Sequence, residues 1–429
     1  MLDFDFIRAQ FPVFETEAGK DWAFFENAGG SYACGPVIER LSRFYRERKM
    51  QPYWPARPSQ LGGDEMDEAR ERLSAWMGID SNELSFGPST TQNTYVLSQA
   101  FRQMLAEGDA IIVTNQDHEA NSGPWRRLAD AGIEVREWGL DKEAGRLEPE
   151  DLNDLLDDKV RLVCFPHCSN IIADINPVKD IVEIVKDVGA YTCVDGVSYA
   201  PHGIPNIKDI GADIYLFSTY KTYGPHQGIM FIRRDLGERL PNQGHHFNAG
   251  SLYKRFTPAG PDHAQIAACA GIIDYFEALY DHHFKSDRSM IDKGRAVHWL
   301  LKSHEEKLME PLLDYIKSKN SLRLLGPEEA EDRTPTLAVK PQVAPQEIVE
   351  RLAERKIAAG GDNFYGQRPI EAVGLDADVG VLRLSFVHYT TEADIARLIS
   401  RPSCQTLFTP PHFRRGSAIT QKINMVKKL

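Results

Sequence analysis

The 429-residue sequence predicts an α/β fold built on a mostly parallel sheet flanked by helices, followed by a smaller α+β C-terminal domain. Between about residue 83 and residue 233, short apolar runs alternate with longer amphipathic stretches, the pattern of parallel strands joined by crossover helices. After Gly260 the character changes to long helical stretches and two isolated apolar runs, which marks a second unit. The composition, 42% hydrophobic and 26% charged, is that of a globular chain able to bury a sizeable core in two unequal domains.

Taken in order, the predicted strands of the first unit are 110–114, 134–138, 162–166, 191–195, 214–218 and 228–233. The polar residues of interest fall just past the ends of these runs, where the ligands of open α/β sheets bind. The second unit is predicted to hold helices over 262–280 and 288–318, strands over 336–339 and 381–386, and a helix over 345–355. A last helix starts at Thr391, where Thr391-Glu392-Ala393-Asp394 offers a cap and early negative charge. The boundaries are a 1–20 segment packing on the small domain, a 21–262 cofactor-binding domain, a 263–400 unit of linking helices and small domain, and a basic 401–429 tail. That tail has no Asp or Glu and carries the Pro410-Pro411 break, so it is predicted to be poorly ordered and remote from the active site.

A net charge of -12 opposes attraction to nucleic acid or anionic membranes. No apolar run approaches bilayer length, and Met1-Leu2-Asp3-Phe4-Asp5 lacks the basic and apolar segments of a secretory signal, so the expected location is cytoplasmic. The six cysteines are scattered, three of them (Cys164, Cys168, Cys193) in or beside apolar strand-like runs, and are read as reduced. No metal centre is expected.

The strongest local signal is Phe217-Ser218-Thr219-Tyr220-Lys221-Thr222-Tyr223-Gly224-Pro225, a strand end followed by a lysine and a Gly/Pro turn. A lysine facing the crevice becomes a nucleophile when its charge is disfavoured, as a Schiff base with pyridoxal 5'-phosphate (PLP) requires. Alone it would read as a solvated loop lysine; its company argues otherwise. Asp195, at the end of the preceding strand, suits a contact with the pyridine nitrogen of PLP, and equally a helix cap. Gly87-Pro88-Ser89-Thr90-Thr91 opens an amphipathic helix, where either a phosphate or a plain cap fits. His118 falls just beyond a strand and could stack on the cofactor ring and relay protons, or be merely structural. Asn170 could donate to the ring hydroxyl oxygen, or shape a turn. Arg383, charged inside a strand, matches a substrate α-carboxylate bidentately, or faces outward.

Taken together, Asp117-His118-Glu119-Ala120-Asn121, Ser169-Asn170, Asp195-Gly196, Ser218-Thr219-Tyr220-Lys221 and Arg383 resemble the class V aminotransferase group of fold-type I PLP enzymes, especially its cysteine desulfurase branch. The resemblance spans residues from about 20 to 400 and implies a large domain with a mostly parallel seven-stranded sheet. It implies the cofactor on Lys221, ring stacking by His118, the pyridine contact from Asp195, and phosphate contacts from Thr90, Thr91 and Ser218. Ser198 and Tyr220 fall at further cofactor-contacting positions. Substrate carboxylate binding would fall to Arg383 with the early loop Asn27, Ala28 and Gly29. A homodimer with shared active sites is implied too, with 257–263 reaching the partner's cofactor, although Gly260 stands where many relatives carry a phosphate-binding threonine.

Three departures bear on the chemistry. Ser198 stands where desulfurases present glutamine or histidine, and Tyr220 where they have histidine before the lysine. The loop Ala358-Ala359-Gly360-Gly361-Asp362-Asn363-Phe364-Tyr365-Gly366, which would carry the sulfur-accepting cysteine, contains none. The expected activity is therefore β-elimination with carbon–sulfur cleavage of cysteine or a cysteine derivative. Transamination or epimerisation of an amino acid on the same scaffold is the alternative, and a binding protein without turnover is disfavoured by the joint presence of Lys221, Asp195 and His118.

Overall fold

The computed structural model describes residues 2–399, and the predicted basic tail lies outside them. Seven strands, β1 (Leu84–Gly87), β2 (Ala110–Thr114), β3 (Glu134–Trp138), β4 (Val160–Pro166), β5 (Tyr191–Asp195), β6 (Ile214–Ser218) and β7 (Gly228–Ile232), form one sheet in the order β1-β7-β6-β5-β4-β2-β3. All neighbours from β3 across to β6 are parallel, whereas β7 runs antiparallel to both β6 and β1. An antiparallel partner needs only a short connection where a parallel one needs a crossover. The β6–β7 connection, closed where Ser218 pairs with Gly228, is the stretch that carries Lys221.

The strands read as apolar runs because both faces of the sheet are covered. Ile111, Val113, Leu162, Cys164 and Leu216 pack on one face with Leu97, Phe101 and Trp125 from the helices Thr90–Met104 and Glu119–Arg126. The alternate residues Ile112, Val163, Phe165, Val194 and Phe217 belong to a second cluster with Ile181 and Val185 of the helix Val178–Asp187. This period of two fixes which strand-end side chains face the crevice.

The C-terminal unit is an antiparallel sheet of β8 (Leu322–Leu324), β9 (Thr336–Pro341), β10 (Gly360–Asp362) and β11 (Val381–Ser385), in the order β10-β11-β9-β8. Its core joins Leu337, Leu382 and Leu384 to Leu308, Leu312 and Ile316 of the long helix Met290–Lys317, and to Ile348 and Ile395 of the helices Pro345–Ala353 and Glu392–Ile399. Ala23 and Phe24 pair in parallel with Ile357 and Ala358, so the incoming chain is fastened to this unit just before it reaches the site. The predicted helix over 262–280 is two, His263–Ala268 and Ala270–His283, meeting at Cys269. At the N-terminus, Arg8 bonds Asp394 at 2.6 Å while Phe6 stacks on His282 at 3.9 Å. The five described cysteines are buried and unpaired, and no described helix is long and apolar enough to cross a membrane.

Candidate active site

The carboxyl ends of the parallel strands converge on a cavity of about 530 Å³. Asp117 and His118 follow β2, Cys168 and Asn170 follow β4, Asp195 ends β5, Ser218 ends β6 and Lys221 follows it. Thr90 and Thr91 arrive at the start of the helix after β1, and Ala28 and Gly29 on the loop that follows Ala23–Phe24. Arg383 arrives from β11. Ser198 and Tyr220 also line the cavity.

Burial dominates the electrostatics. Lys221 is 6% exposed, and burial followed by the nearby Arg383 charge brings its amine down to about 8, against the opposing pull of Asp195 and Glu26. Burial lifts the Asp195 carboxyl to about 6, although its Oδ1 accepts the Val197 N–H at 2.8 Å. Asp117 is pushed well above the carboxylate range, first by burial and then by the Asp195 charge. Its Oδ2 accepts from Asn121 Nδ2 at 3.2 Å, and its Oδ1 has no partner among the described residues. His118 caps the helix Glu119–Arg126: its Nδ1 accepts the Ala120 N–H at 3.0 Å, so the ring proton sits on Nε2. Burial, with Lys221 and Arg383 nearby, lowers His118 to about 3 and keeps the imidazole neutral.

A phosphate-bearing aldehyde cofactor fits these residues. Lys221 offers a buried amine of lowered basicity and Asp195 a buried carboxylate. Thr90 Oγ1 lies 2.8 Å from Ser218 Oγ at the first turn of a fifteen-residue helix whose leading N–H groups have no intrahelical acceptor. Gly228 makes this cradle possible, because a Cβ there would come within 2.5 Å of the Ser89 carbonyl carbon.

The aminotransferase class-V family model matches residues 23–282 and 294–398. The chain belongs to that family. Class-V enzymes of this kind depend on PLP, and this chain is a PLP-dependent enzyme of transferase or lyase type. The class-V chain is 31% identical to an aminotransferase-like protein, FGM3, of Gibberella zeae, over 92% of this chain and 96% of the relative. It is 29% identical to a cysteine desulfurase of Pectobacterium carotovorum over the same shares. Its fold matches the cysteine desulfurase CsdA of Escherichia coli (TM-score 0.79, 20% identity, 95% of this chain and 100% of that one). It also matches a cysteine desulfurase of Thermococcus onnurineus (TM-score 0.81, 20% identity, 95% and 98%).

One expectation is corrected. Asn27 does not line the cavity of this class-V enzyme: its Nδ2 donates to Ser385 O at 3.3 Å and its Oδ1 accepts from Tyr389 Oη, so it braces the loop from behind. The Ala28 N–H next to it donates to Ser385 Oγ at 2.8 Å. Asn170 reaches the cavity, where its Nδ2 gives one of its two hydrogens to Phe364 O at 3.0 Å and has a second to give. Tyr220, in place of a histidine, stacks on His226 with centroids 4.9 Å apart.

Sequence reasoning passed over Glu26, whose Oε1 accepts from Arg383 Nη2 at 2.6 Å, and the role of Asp117 beside Asp195. Both are adjacent to residues singled out from the sequence, and a carboxylate flanking a predicted site loop was the available signal. Arg383 is 2% exposed. Its guanidinium carbon lies 3.6 Å from the Phe364 ring centroid, a cation–π contact that holds the fork flat against the loop.

Proposed function

We propose that this enzyme cleaves the carbon–sulfur bond of a cysteine-type amino acid by β-elimination, with PLP held on Lys221. The observation that supports this most is the absence, among the described residues, of a thiol placed to receive sulfur. The loop where a sulfur acceptor would stand presents Phe364 and Tyr365 to the cavity. The cysteine on the cavity wall, Cys168, is 2% exposed, its Sγ lies 3.0 Å from Thr334 Oγ1, and burial pushes its thiol up to about 12. A thiol held protonated is a poor nucleophile, so sulfur departs with its own substituent.

In this reading Arg383 takes the substrate carboxylate, and the Lys221 amine accepts the α-proton. Asp195 would hold its charge toward the pyridine nitrogen, while Thr90, Thr91 and Ser218 would hold the phosphate. His118, neutral with its proton on Nε2, offers a donor inside the cavity. When bound, PLP supplies an electron sink for the pair left at the α-carbon. The Glu26 carboxylate already on Arg383 keeps the guanidinium aimed into the cavity before substrate arrives.

Incubation of the PLP-loaded enzyme with cysteine, cystine or a cysteine conjugate is expected to release pyruvate and ammonia in equal amounts. Amino transfer that depends on an added keto acid, without pyruvate from any of the three, would instead support transamination, the reading suggested by likeness to the aminotransferase-like protein of Gibberella zeae.

The same proposal includes a homodimer. Ser89, Tyr95 and His226 line the central cavity and also an adjoining one whose far wall is formed by residues 256–262, so the cofactor cradle lies close to an open surface. Sedimentation is expected to give twice the 48.3 kDa chain mass; a monomer that is fully active would contradict shared sites.

A further inference from the structure

Phe364 and Tyr365 follow one another with left-handed backbones, φ 53° and 57°. Residues with a Cβ seldom enter that region, and two in succession persist only where the surroundings fix them. Three contacts do so here. Asn170 Nδ2 donates to Phe364 O at 3.0 Å, the Glu119 N–H donates to Tyr365 O at 3.0 Å, and the Tyr365 N–H donates to Asn363 Oδ1 at 3.1 Å. Two of these come from the large domain, so the loop of the small domain is clamped across the cavity.

The strained path turns both rings toward the same cavity. Phe364 covers the Arg383 guanidinium, whereas Tyr365 stays 75% exposed, with its ring centroid 5.6 Å from that of His118. The Tyr365 ring has no packing role that would account for such exposure: its hydroxyl has no hydrogen-bond partner among the described residues, and it belongs to no core cluster. A large exposed ring held by a strained backbone on the wall of a catalytic cavity is a surface waiting for a flat partner.

We infer that Tyr365 is a specificity-determining residue that stacks on a planar substituent carried by the substrate's sulfur, so that the substrate class is S-aryl or S-heteroaryl cysteine. The inference rests on the carbon–sulfur elimination reading above. Arg383, beneath Phe364, and Tyr365, beside His118, line the same cavity, so a substrate whose carboxylate sits on Arg383 has the Tyr365 ring within that cavity as a wall for its far end. The α-proton goes to Lys221 Nζ, and the β-carbon–sulfur bond breaks with its electron pair on sulfur, giving an aryl thiolate. Water then hydrolyses the three-carbon fragment to pyruvate and ammonia, so no oxidant or reductant is needed. Delocalisation into the ring stabilises the departing thiolate.

The test compares kcat/KM of the PLP-loaded enzyme for S-phenylcysteine and S-methylcysteine, each followed as pyruvate. The parent is expected to favour S-phenylcysteine. Tyr365→Ala is expected to shrink that ratio about three- to tenfold, the size of an aromatic stacking contact, and Tyr365→Phe to keep it. A parent with no aryl preference, or a Tyr365→Ala variant whose ratio is unmoved, would overturn the inference while leaving elimination standing. Pyruvate from neither compound, nor from cysteine or cystine, would instead remove the elimination reading and the inference together.

Discussion

Replacing Lys221 by alanine is expected to lower turnover by roughly 10³-fold or more, because one amine serves both as attachment point and as proton acceptor. The side chain is buried beside Arg383, which together with desolvation brings the amine from 10.5 to about 8. Only the neutral amine attacks an aldehyde, so the rate at which the apoprotein takes up cofactor should climb as pH rises toward about 8 and level off above it. Arg383→Gln removes the second cause of the shift and should move that rise to higher pH. Stopped-flow absorbance of cofactor binding reads both effects, and circular dichroism confirms that the variants are folded. Parent-like turnover by Lys221→Ala would refute the assignment.

Asp195→Asn is expected to retain cofactor yet lose about 10²- to 10³-fold in kcat, the scale of one preorganised charge removed from a water-poor site. Asparagine keeps the shape and can still accept the Val197 N–H, so the loss reports charge rather than packing. The carboxyl stands at about 6, raised by burial against that hydrogen bond and the Lys221 charge. Protonation below that value removes the partner of the pyridine nitrogen, so cofactor affinity should weaken as pH falls through about 6. The Asn variant, uncharged at every pH, should hold the cofactor with the weaker affinity throughout and show no step near 6. Equilibrium dialysis across pH 5 to 8 separates the two proteins. An identical pH dependence in both would place the effect elsewhere.

The strands that matched residue for residue, β2, β3, β5 and β6, are those whose positions are settled locally: an apolar run, ended by a polar residue, is what a strand in a covered sheet must look like. β1 escaped because Ser85 and Gly87 interrupt its four residues. β10, made of Gly360, Gly361 and Asp362, has no apolar side chain at all and exists through its pairing with β11. The reversed direction of β7 was equally hidden, since hydrophobic alternation carries no arrowhead.

The site divides the same way. Lys221, Asp195, His118 and Thr90 stand where a strand end or helix start puts them, so order along the chain located them. Asn27 turned away because its side chain answers to Tyr389 and Ser385, some 360 positions later. Tyr365 stands in the loop noted for lacking a cysteine, with no local sign of where its ring would point. What aims its ring is a pair of hydrogen bonds from Asn170 and Glu119, and no local pattern encodes them.

The central claim, a cofactor joined to one particular amine, is tested most directly by borohydride reduction of the PLP-loaded enzyme, proteolysis and peptide mass spectrometry. The account predicts a phosphopyridoxyl adduct on the peptide bearing Lys221 and on no other lysine. An unmodified Lys221 peptide, or an adduct on a different residue in a fully active sample, would contradict it.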